Sequence, residues 1–182
     1  MEGKRGLIMG VANDRSMAWG IAKACAEQGA EVAFSYQGEA LEKRVRPLAE
    51  SIGSDFLVQC DVSDAASIDA MAAKLAEKWD SIDFFVHAVG YSDKNELRGR
   101  YIDTTLDNFL MTMNISAYSF VAVGQRLEKM MTNGGSMVTL SYYGSEKVVP
   151  HYNVMGVAKA ALEASTRYMA RGLGEKGIRV NT

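Results

Sequence analysis

Short apolar runs alternate with longer amphipathic stretches along the chain. The apolar runs predict six strands, at 6–9, 31–36, 55–59, 82–88, 136–140 and 178–181. The fourth run is almost continuously apolar, as expected for a central parallel strand that is buried on both faces. Strands that alternate with helices form βα units. The pattern therefore predicts an α/β fold, a doubly wound parallel sheet (Rossmann fold) flanked by helices.

The amphipathic stretches predict helices at 18–28, 39–52, 64–79, 106–131 and 152–172. We expect Pro47 to interrupt the second helix, because proline lacks an N–H group and clashes with the preceding turn. Ser63 or Asp64 would cap the third helix, and Thr104 or Thr105 would open the fourth. The third helix carries one apolar stripe, formed by Ile68, Met71, Leu75 and Trp79.

The chain of 182 residues is long enough for one well-buried domain, and no linker or shift in composition divides it. We therefore treat 1–182 as a single domain. A parallel sheet that ended inside its sixth strand would expose an apolar edge. For this reason we expect the C-terminal elements of the fold to be missing from the sequence.

Charge and composition exclude several kinds of partner. The formal net charge of −2 argues against nucleic acid, whose phosphates usually select a basic surface. No apolar run reaches membrane-spanning length, and no signal peptide precedes the first strand. Cys25 and Cys60 have neither CxxC spacing nor a His/Cys cluster near them, which predicts no metal site, no disulfide framework and a cytoplasmic location. We expect His87 to end a strand with its ring satisfied by backbone, and His151 to lie at the surface.

The turn after the first strand carries a candidate phosphate-binding loop. At this place in a doubly wound sheet, free N–H groups and the helix dipole attract a dinucleotide pyrophosphate. The usual G-x-G-x-x-G pattern is absent, but Gly10 would make the turn and the Ser16 hydroxyl would bind phosphate. The alternative is that the small residues which follow, Ala18, Gly20 and Ala22, serve helix packing alone.

Two further positions follow predicted strands at the same edge of the sheet. Gln37 can hydrogen-bond a ribose hydroxyl, where NAD-binding folds often place an acid. The first basic residues after it lie on the next helix, so NADH is favoured over NADPH. Asp61 either accepts a hydrogen bond from the adenine amino group or caps the next helix. Both interpretations remain open. Val62, which follows Asp61, is a further candidate contact to the cofactor.

Tyr152 and Lys159 form the most informative pair in the chain. Their separation of seven residues is almost two helical turns, which places the phenol and the ammonium group on one face of the predicted helix. A nearby cation stabilises phenolate and lets a tyrosine donate a strong hydrogen bond near neutral pH. Tyr142 lies ten residues upstream, beyond a loop. The simpler alternative is a packed ring beside a solvated amine.

Together these motifs closely resemble the bacterial NADH-dependent enoyl-acyl carrier protein reductases, a divergent branch of the short-chain dehydrogenase/reductase superfamily. In ordinary members of the superfamily a serine and a tyrosine precede the lysine at fixed spacing, and those positions hold Tyr142 and Met155 here. The acidic tyrosine of the enoyl reductases lies three residues earlier, at Tyr152. The resemblance runs the whole length of the chain and rests on Gly10-x5-Ser16-x-Ala18-x-Gly20-x-Ala22, Gln37, Cys60-Asp61-Val62, Leu140-Ser-Tyr142 and Tyr152-x6-Lys159.

The resemblance implies an enzyme that uses NADH to reduce the trans-2 double bond of enoyl-acyl carrier protein thioesters, the last reductive step of bacterial fatty-acid elongation. It also implies a homotetramer with acyl carrier protein as partner. Tyr152 would hydrogen-bond the developing enolate oxygen of the substrate, and Lys159 would hold the nicotinamide ribose. Tyr142 would line the substrate cavity or assist.

The same resemblance implies roles for the remaining candidate residues. Ser16 and Met17 would approach the pyrophosphate, Val89 and Gly90 would approach the cofactor from the sheet, and Ser92 would touch substrate. Residues 1–182 would then form one dinucleotide-binding catalytic domain. Two rival functions are a carbonyl reductase, against which Met155 argues, and a non-catalytic dinucleotide-binding regulator, against which the retained tyrosine and lysine argue.

Overall fold

Six parallel strands form one sheet in the order β3-β2-β1-β4-β5-β6 in the computed structural model, which describes all residues from 1 to 182. The order reverses between β1 and β4, and this leaves a crevice at the carboxyl ends of those two strands. The predicted fold class is confirmed, and the predicted strand ends differ from the observed ones by at most two residues. The strands are β1 (Arg5–Met9), β2 (Glu31–Tyr36), β3 (Leu57–Gln59), β4 (Phe84–His87), β5 (Gly135–Thr139) and β6 (Ile178–Asn181).

Six α-helices connect and cover the strands. They are α1 (Met17–Glu27), α2 (Glu39–Ser51), α3 (Ala65–Lys78), α4 (Leu106–Met113), α5 (Ser119–Leu127) and α6 (Asn153–Leu173). Asp64 caps α3 by accepting from the Ala66 N–H group, and Thr105 caps α4 by accepting from the Asn108 N–H group. No helix combines the length and the apolar character that crossing a bilayer requires.

One predicted feature of the helices is wrong. It is the interruption at Pro47, because α2 continues through the proline without a break. Pro47 lies on the exposed face of α2, while Val45 and Ala49 on the opposite face are fully buried in one cluster with Phe34 of β2. Burial of this face offsets the hydrogen bond that the proline cannot make.

The predicted long helix over 106–131 is present, because the helical path is unbroken from Leu106 to Met130. It is not α-helical throughout: a π-helical turn at Asn114–Tyr118, which the sequence did not predict, lies between α4 and α5, and a 3-10 turn at Glu128–Met130 follows α5. Hydroxyl groups in and beside the π turn reach the end of the sheet: Ser116 bonds both backbone groups of Tyr91, and Ser119 bonds His87. These bonds stabilise a turn that is wider than an α-helical one.

The hydrophobic core occupies both faces of the sheet. Ile8 and Val86 point towards α1 and α2, whereas their strand neighbours Leu7 and Phe85 point towards α3, α5 and α6. All four side chains are almost completely buried, as the alternation of a two-sided parallel sheet requires. The carboxyl ends of β1 and β4 are therefore held on a rigid base.

Candidate active site

A cleft crosses the carboxyl ends of β1 and β4 and consists of two joined cavities. The larger has a volume of about 570 Å³ and extends along the ends of β2 and β3, so it is named here the β2-side cavity. The smaller, of about 400 Å³, extends to α6 and is named the α6-side cavity. Both share the walls formed by Gly10, Ala88, Val89 and Gly90. One elongated ligand can therefore occupy both.

The structure brings all but one of the candidate site residues into this cleft. Ser92 is the exception, because its hydroxyl lies beneath the surface, where it accepts from Thr112 at 2.9 Å and donates to Asn108 at 3.3 Å. Contact between Ser92 and substrate stays a prediction. The β2-side cavity is lined by Gly10, Gln37, Asp61, Val62, Val89 and Gly90, and the α6-side cavity by Gly10, Ser16, Met17, Val89, Gly90, Tyr142, Tyr152 and Lys159.

Gly10 and Ser16 shape the loop between β1 and α1. Gly10 has a φ of +99°, and a Cβ atom there would overlap with the carbonyl oxygen of Ala88, so only glycine fits. The Ser16 oxygen accepts from the N–H groups of Ala12 and Asn13, at 3.0 and 3.1 Å. Ser16 therefore makes no side-chain cap on α1, in contrast to the caps of α3 and α4. The first N–H groups of α1 stay open towards the cleft, as an anionic group requires.

Gln37 and Asp61 meet at the far end of the β2-side cavity. The Gln37 amide donates to the Asp61 carboxylate at 3.0 Å. The Ser63 hydroxyl, followed by Gln37, lowers the pKa of Asp61 below its usual range, so this carboxylate stays ionised. Asp61 accepts from Ser63 and not from the first turn of α3, which Asp64 caps. The interpretation of Asp61 as the helix cap is wrong, and its contact with adenine stays a prediction.

Lys159 is held between α6 and the end of β5. Its side chain is only 9% exposed, and its Nζ donates to the carbonyl oxygen of Leu140 at 2.7 Å. The ammonium group also borders Gly90, whose missing side chain leaves it open to the cleft. Burial lowers the pKa of Lys159. The result is a fixed, partly desolvated cation at the junction of the two cavities.

The rings of Tyr142 and Tyr152 pack edge to face at the mouth of the α6-side cavity, with centroids 5.0 Å apart and planes at 67°. Burial, with a smaller contribution from Tyr142, raises the pKa of Tyr152 above its usual value. The Lys159 ammonium group is directed to the Leu140 carbonyl, and stabilisation of the Tyr152 phenolate by this cation stays a prediction. Tyr152 is a neutral phenol near pH 7, able to donate a hydrogen bond.

Comparison with known proteins places this site in a family. The family model described as enoyl-(acyl carrier protein) reductase matches residues 10–182. The chain is 64% identical over 181 residues to an enoyl-[acyl-carrier-protein] reductase [NADH] of Rhizobium meliloti, covering 100% of this chain and 66% of the relative. The chain belongs to this family.

Solved structures agree with the assignment. An enoyl-(acyl-carrier-protein) reductase from Anaplasma phagocytophilum, crystallised in complex with NAD, superposes with a TM-score of 0.97 at 65% identity, covering 100% of this chain and 70% of that one. The enzyme from Aquifex aeolicus superposes with a TM-score of 0.97 at 51% identity, covering 99% and 72%. The chain thus spans about two thirds of the length of the family members it matches.

Two glycines that the sequence analysis missed seat the Tyr152 ring. A Cβ atom on Gly144 would overlap with this ring, and a Cβ atom on Gly156 would lie 2.7 Å from the Gly144 carbonyl oxygen. The available signal was Gly156 itself, because glycine is unfavourable inside a helix and needs a reason there. Close approach of the segment around Gly144 to α6 supplies that reason.

Strained backbone flanks Tyr152 on both sides. His151 and Asn153 have φ values of 63° and 38°, which residues other than glycine rarely adopt. His151 is exposed, as expected, whereas the Asn153 amide donates to the carbonyl oxygens of Glu96 and Gly99, both at 3.3 Å. Asn153 thereby fastens the loop over 90–103 to the start of α6.

His87 is fully buried and bonds to hydroxyl groups, so the expectation that backbone satisfies its ring is wrong. Its Nε2 lies 2.8 Å from the Ser119 oxygen, and its Nδ1 lies 3.2 Å from the Thr139 oxygen. The Ser119 hydroxyl donates to the Ile115 carbonyl at 2.7 Å, which assigns the ring proton to Nε2. Burial, followed by the charge of Lys159, lowers the pKa of His87 to about 3, so the ring is neutral.

Proposed function

We propose that the protein reduces the trans-2 double bond of enoyl thioesters on acyl carrier protein with NADH, the last reductive step of bacterial fatty-acid elongation. One observation carries the proposal: Tyr152, Tyr142 and Lys159 share a cleft with the Gly10 loop, in a chain that belongs to the enoyl-(acyl carrier protein) reductase family. Family members that match at high identity are named as NADH-dependent.

The residues of the cleft fit a dinucleotide. Gly10 and the uncapped start of α1 suit a pyrophosphate, and Gln37 can donate to or accept from a ribose hydroxyl. The ionised Asp61 beside Gln37 would repel a 2′-phosphate, which supports NADH over NADPH. Lys159, at the junction of the cavities, would bind the hydroxyls of the nicotinamide ribose. NADH, when bound, supplies a hydride for C3 of the substrate.

Tyr152 provides the acidic group that this reduction needs. As C3 of an enoyl thioester gains a hydride, negative charge develops on the thioester oxygen as an enolate. A neutral phenol at the mouth of the α6-side cavity can donate a hydrogen bond to that oxygen, as an oxyanion donor does. Tyr142, packed edge to face on Tyr152, would line the substrate side of the cavity.

Met155 argues against carbonyl reduction. It occupies the position that holds the catalytic tyrosine in ordinary members of the superfamily, and it is buried and lacks a proton to donate. The donor in this chain stands three residues earlier, at Tyr152, and would lie beside the thioester oxygen and not beside the carbon that receives the hydride. This arrangement favours a conjugated substrate, in which the charged oxygen and the reduced carbon are separated.

We also propose a homotetramer in the cytoplasm. Two unpaired cysteines, Cys25 and Cys60, support a reducing compartment. The π turn and α6 pack beside α4, and this face leaves large apolar side chains exposed, which supports burial against other copies of the chain. These side chains are Leu106, Leu110, Tyr118, Val157 and Tyr168. Light scattering coupled to size-exclusion chromatography would measure the mass of the assembly directly.

The test is NADH consumption, followed by absorbance, when a trans-2-enoyl thioester is added to the protein expressed at its natural full length. Tyr152→Phe should abolish most turnover and spare NADH binding, whereas Lys159→Ala should weaken NADH binding. Tyr143→Phe is the matched control, because this neighbouring tyrosine is exposed and lies outside the cleft. It should behave as wild type.

Three outcomes would contradict the proposal. Equal loss of turnover and NADH binding in both active-site variants would remove the division of roles between Tyr152 and Lys159. Turnover of 3-ketoacyl thioesters alone would identify a carbonyl reductase. NADH binding without turnover on any chain length would identify a non-catalytic regulator.

A further inference from the structure

The segment over 140–145, which carries Tyr142, lies along one face of α6. Tyr152, Gly156, Lys159 and Glu163 are spaced four, three and four residues apart, so they share that face. Each of them contacts the segment. Two of the contacts are hydrogen bonds: Lys159 donates to the Leu140 carbonyl, and Glu163 accepts from the Ser141 hydroxyl. The other two are packing contacts: Gly156 lies against the Gly144 carbonyl, and Tyr152 packs on the Tyr142 ring.

Among the members of this set that carry a polar side chain, Glu163 is the one that the proposed chemistry does not use. Its carboxylate accepts from Ser141, immediately before Tyr142, and the Ser145 hydroxyl at the other end of the segment also stabilises its charge. Tyr142 has little else to hold it. Its ring is 51% exposed and its hydroxyl makes no hydrogen bond within the chain. The position of the ring therefore depends on the backbone of the segment and on the contact with the Tyr152 ring.

We propose that Glu163 is a positioning residue, which holds the segment over 140–145 on α6 through Ser141 and so fixes Tyr142 against Tyr152. The inference rests on the proposed function, because it assigns Glu163 a part in the same site. The contact acts by geometry, because Glu163 accepts from the Ser141 hydroxyl and forms no ion pair with Lys159, whose Nζ donates to the Leu140 carbonyl. A neutral acceptor of the same shape should therefore replace the carboxylate.

The experiment compares Glu163→Ala, Glu163→Gln, Ser141→Ala and the double variant Ser141→Ala/Glu163→Ala in the full-length protein. Glu163→Ala and Ser141→Ala should each lower kcat/KM for the enoyl thioester about tenfold, with the Kd for NADH within about twofold of wild type. Glu163→Gln should stay within about twofold of wild type. The double variant should have the same kcat/KM as Glu163→Ala, because both changes remove the same contact between Ser141 and Glu163.

Ser165→Ala is the matched control, because this hydroxyl also lies on α6 but donates only to the Ala161 carbonyl of the same helix. It should leave kcat/KM unchanged. A Glu163→Gln variant as impaired as Glu163→Ala, or a Ser141→Ala variant with full activity, would overturn the inference. So would loss of NADH binding in step with loss of turnover, which indicates a general structural defect.

Amide hydrogen exchange separates this inference from the proposed function. Exchange in the peptide over 140–146 should accelerate in Glu163→Ala and Ser141→Ala and not in Glu163→Gln, whatever substrate the enzyme uses. Unchanged exchange in Glu163→Ala would show that Glu163 does not hold the segment. If the wild-type protein reduced no enoyl thioester, the proposed function would fail, and the exchange result would still decide whether the contact positions Tyr142.

Discussion

The two sides of the cleft are built in different ways. On the β2 side, Gln37 is exposed and Asp61 is partly exposed, and both side chains act through hydrogen bonds just beyond the ends of strands. On the α6 side, a buried lysine, two close glycine contacts and strained backbone on both sides of Tyr152 hold the aromatic rings. Polar groups at a surface adapt to a change nearby, whereas close-packed groups do not.

Cofactor binding and the placement of the catalytic phenol should differ in their sensitivity to substitution. Binding of a cofactor can be shared among many weak contacts, so the loss of one has a limited effect. Placement of a phenol against a reacting group depends on distances that a shift of about 1 Å destroys. We therefore expect substitutions of equal size to have larger effects on the α6 side than on the β2 side.

The largest effect is expected for Gly156→Ala. The new methyl group would lie 2.7 Å from the Gly144 carbonyl oxygen, which must move away and take the packing of Tyr152 with it. We expect enoyl thioester reduction to fall at least a hundredfold and the free energy of unfolding to fall by about 1–3 kcal/mol. Steady-state kinetics and denaturant unfolding measure the two quantities.

Gly172→Ala is the control on the same helix, since nothing lies within 4 Å of its missing side chain. It should raise the free energy of unfolding by about 0.5–1 kcal/mol, the helix propensity gain alone, and leave activity unchanged. A fully active Gly156→Ala variant would show that the glycine contact does not position Tyr152.

Gly10→Ala should have the next largest effect, and it should act where the two cavities join. The substitution places a side chain at a φ of +99° and against the Ala88 carbonyl oxygen, so the loop before α1 must change shape. We expect NADH affinity, measured by fluorescence titration, to fall more than tenfold. Gly20→Ala, with nothing within 4 Å of the added carbon, is the control. Equal NADH affinity in both variants would contradict the assignment of the loop.

His87 makes stability depend on pH. Its pKa is about 3 in the folded protein, whereas a histidine in an unfolded chain has the ordinary pKa near 6.5. Below pH 6.5 the unfolded chain therefore binds a proton that the folded chain does not. Stability falls as the pH falls, by about 1.4 kcal/mol per unit, which gives a loss of about 2 kcal/mol between pH 6.5 and pH 5. His87→Gln, which can still bond Ser119, should lack this dependence.

Thermal unfolding of the wild type and His87→Gln between pH 7 and pH 4.5 tests this difference. Asp61, Asp83 and Glu163, whose pKa values are lowered in the folded state, lose their contributions as the pH falls in both proteins. Their effects cancel in the comparison. Parallel curves for the two proteins would show that the buried ring does not drive the acid sensitivity.

The sequence predicted those parts of the fold and site that depend on local pattern. Apolar periodicity located the strands and helices, and the ends of the strands located Gly10, Gln37 and Asp61, since parallel strands place their carboxyl ends at one edge. The seven-residue spacing correctly placed Tyr152 and Lys159 in one cleft. These features need no knowledge of distant contacts.

The features that the sequence did not predict all depend on contacts between distant segments. The continuous path of α2 through Pro47 depends on burial of the opposite helix face against β2. The π turn and the partners of His87 depend on hydroxyl groups that meet only after β4, β5 and α5 pack together. Asn153 bonds carbonyl groups more than 50 residues away, and no local pattern marks such a pair.

The smallest effect is expected for Gln37→Ala on the β2 side. The change would remove the hydrogen bond to ribose that we propose for Gln37, together with the amide partner of Asp61, while Asp61 keeps both bonds from Ser63. A net loss of about 1 kcal/mol corresponds to a roughly fivefold increase in the Kd for NADH. Turnover at saturating NADH should not change, because no atom of Gln37 lies in the α6-side cavity. If kcat fell as far as the affinity for NADH, the two sides of the cleft would not act separately, and the contrast between adaptable binding contacts and fixed catalytic contacts would fail.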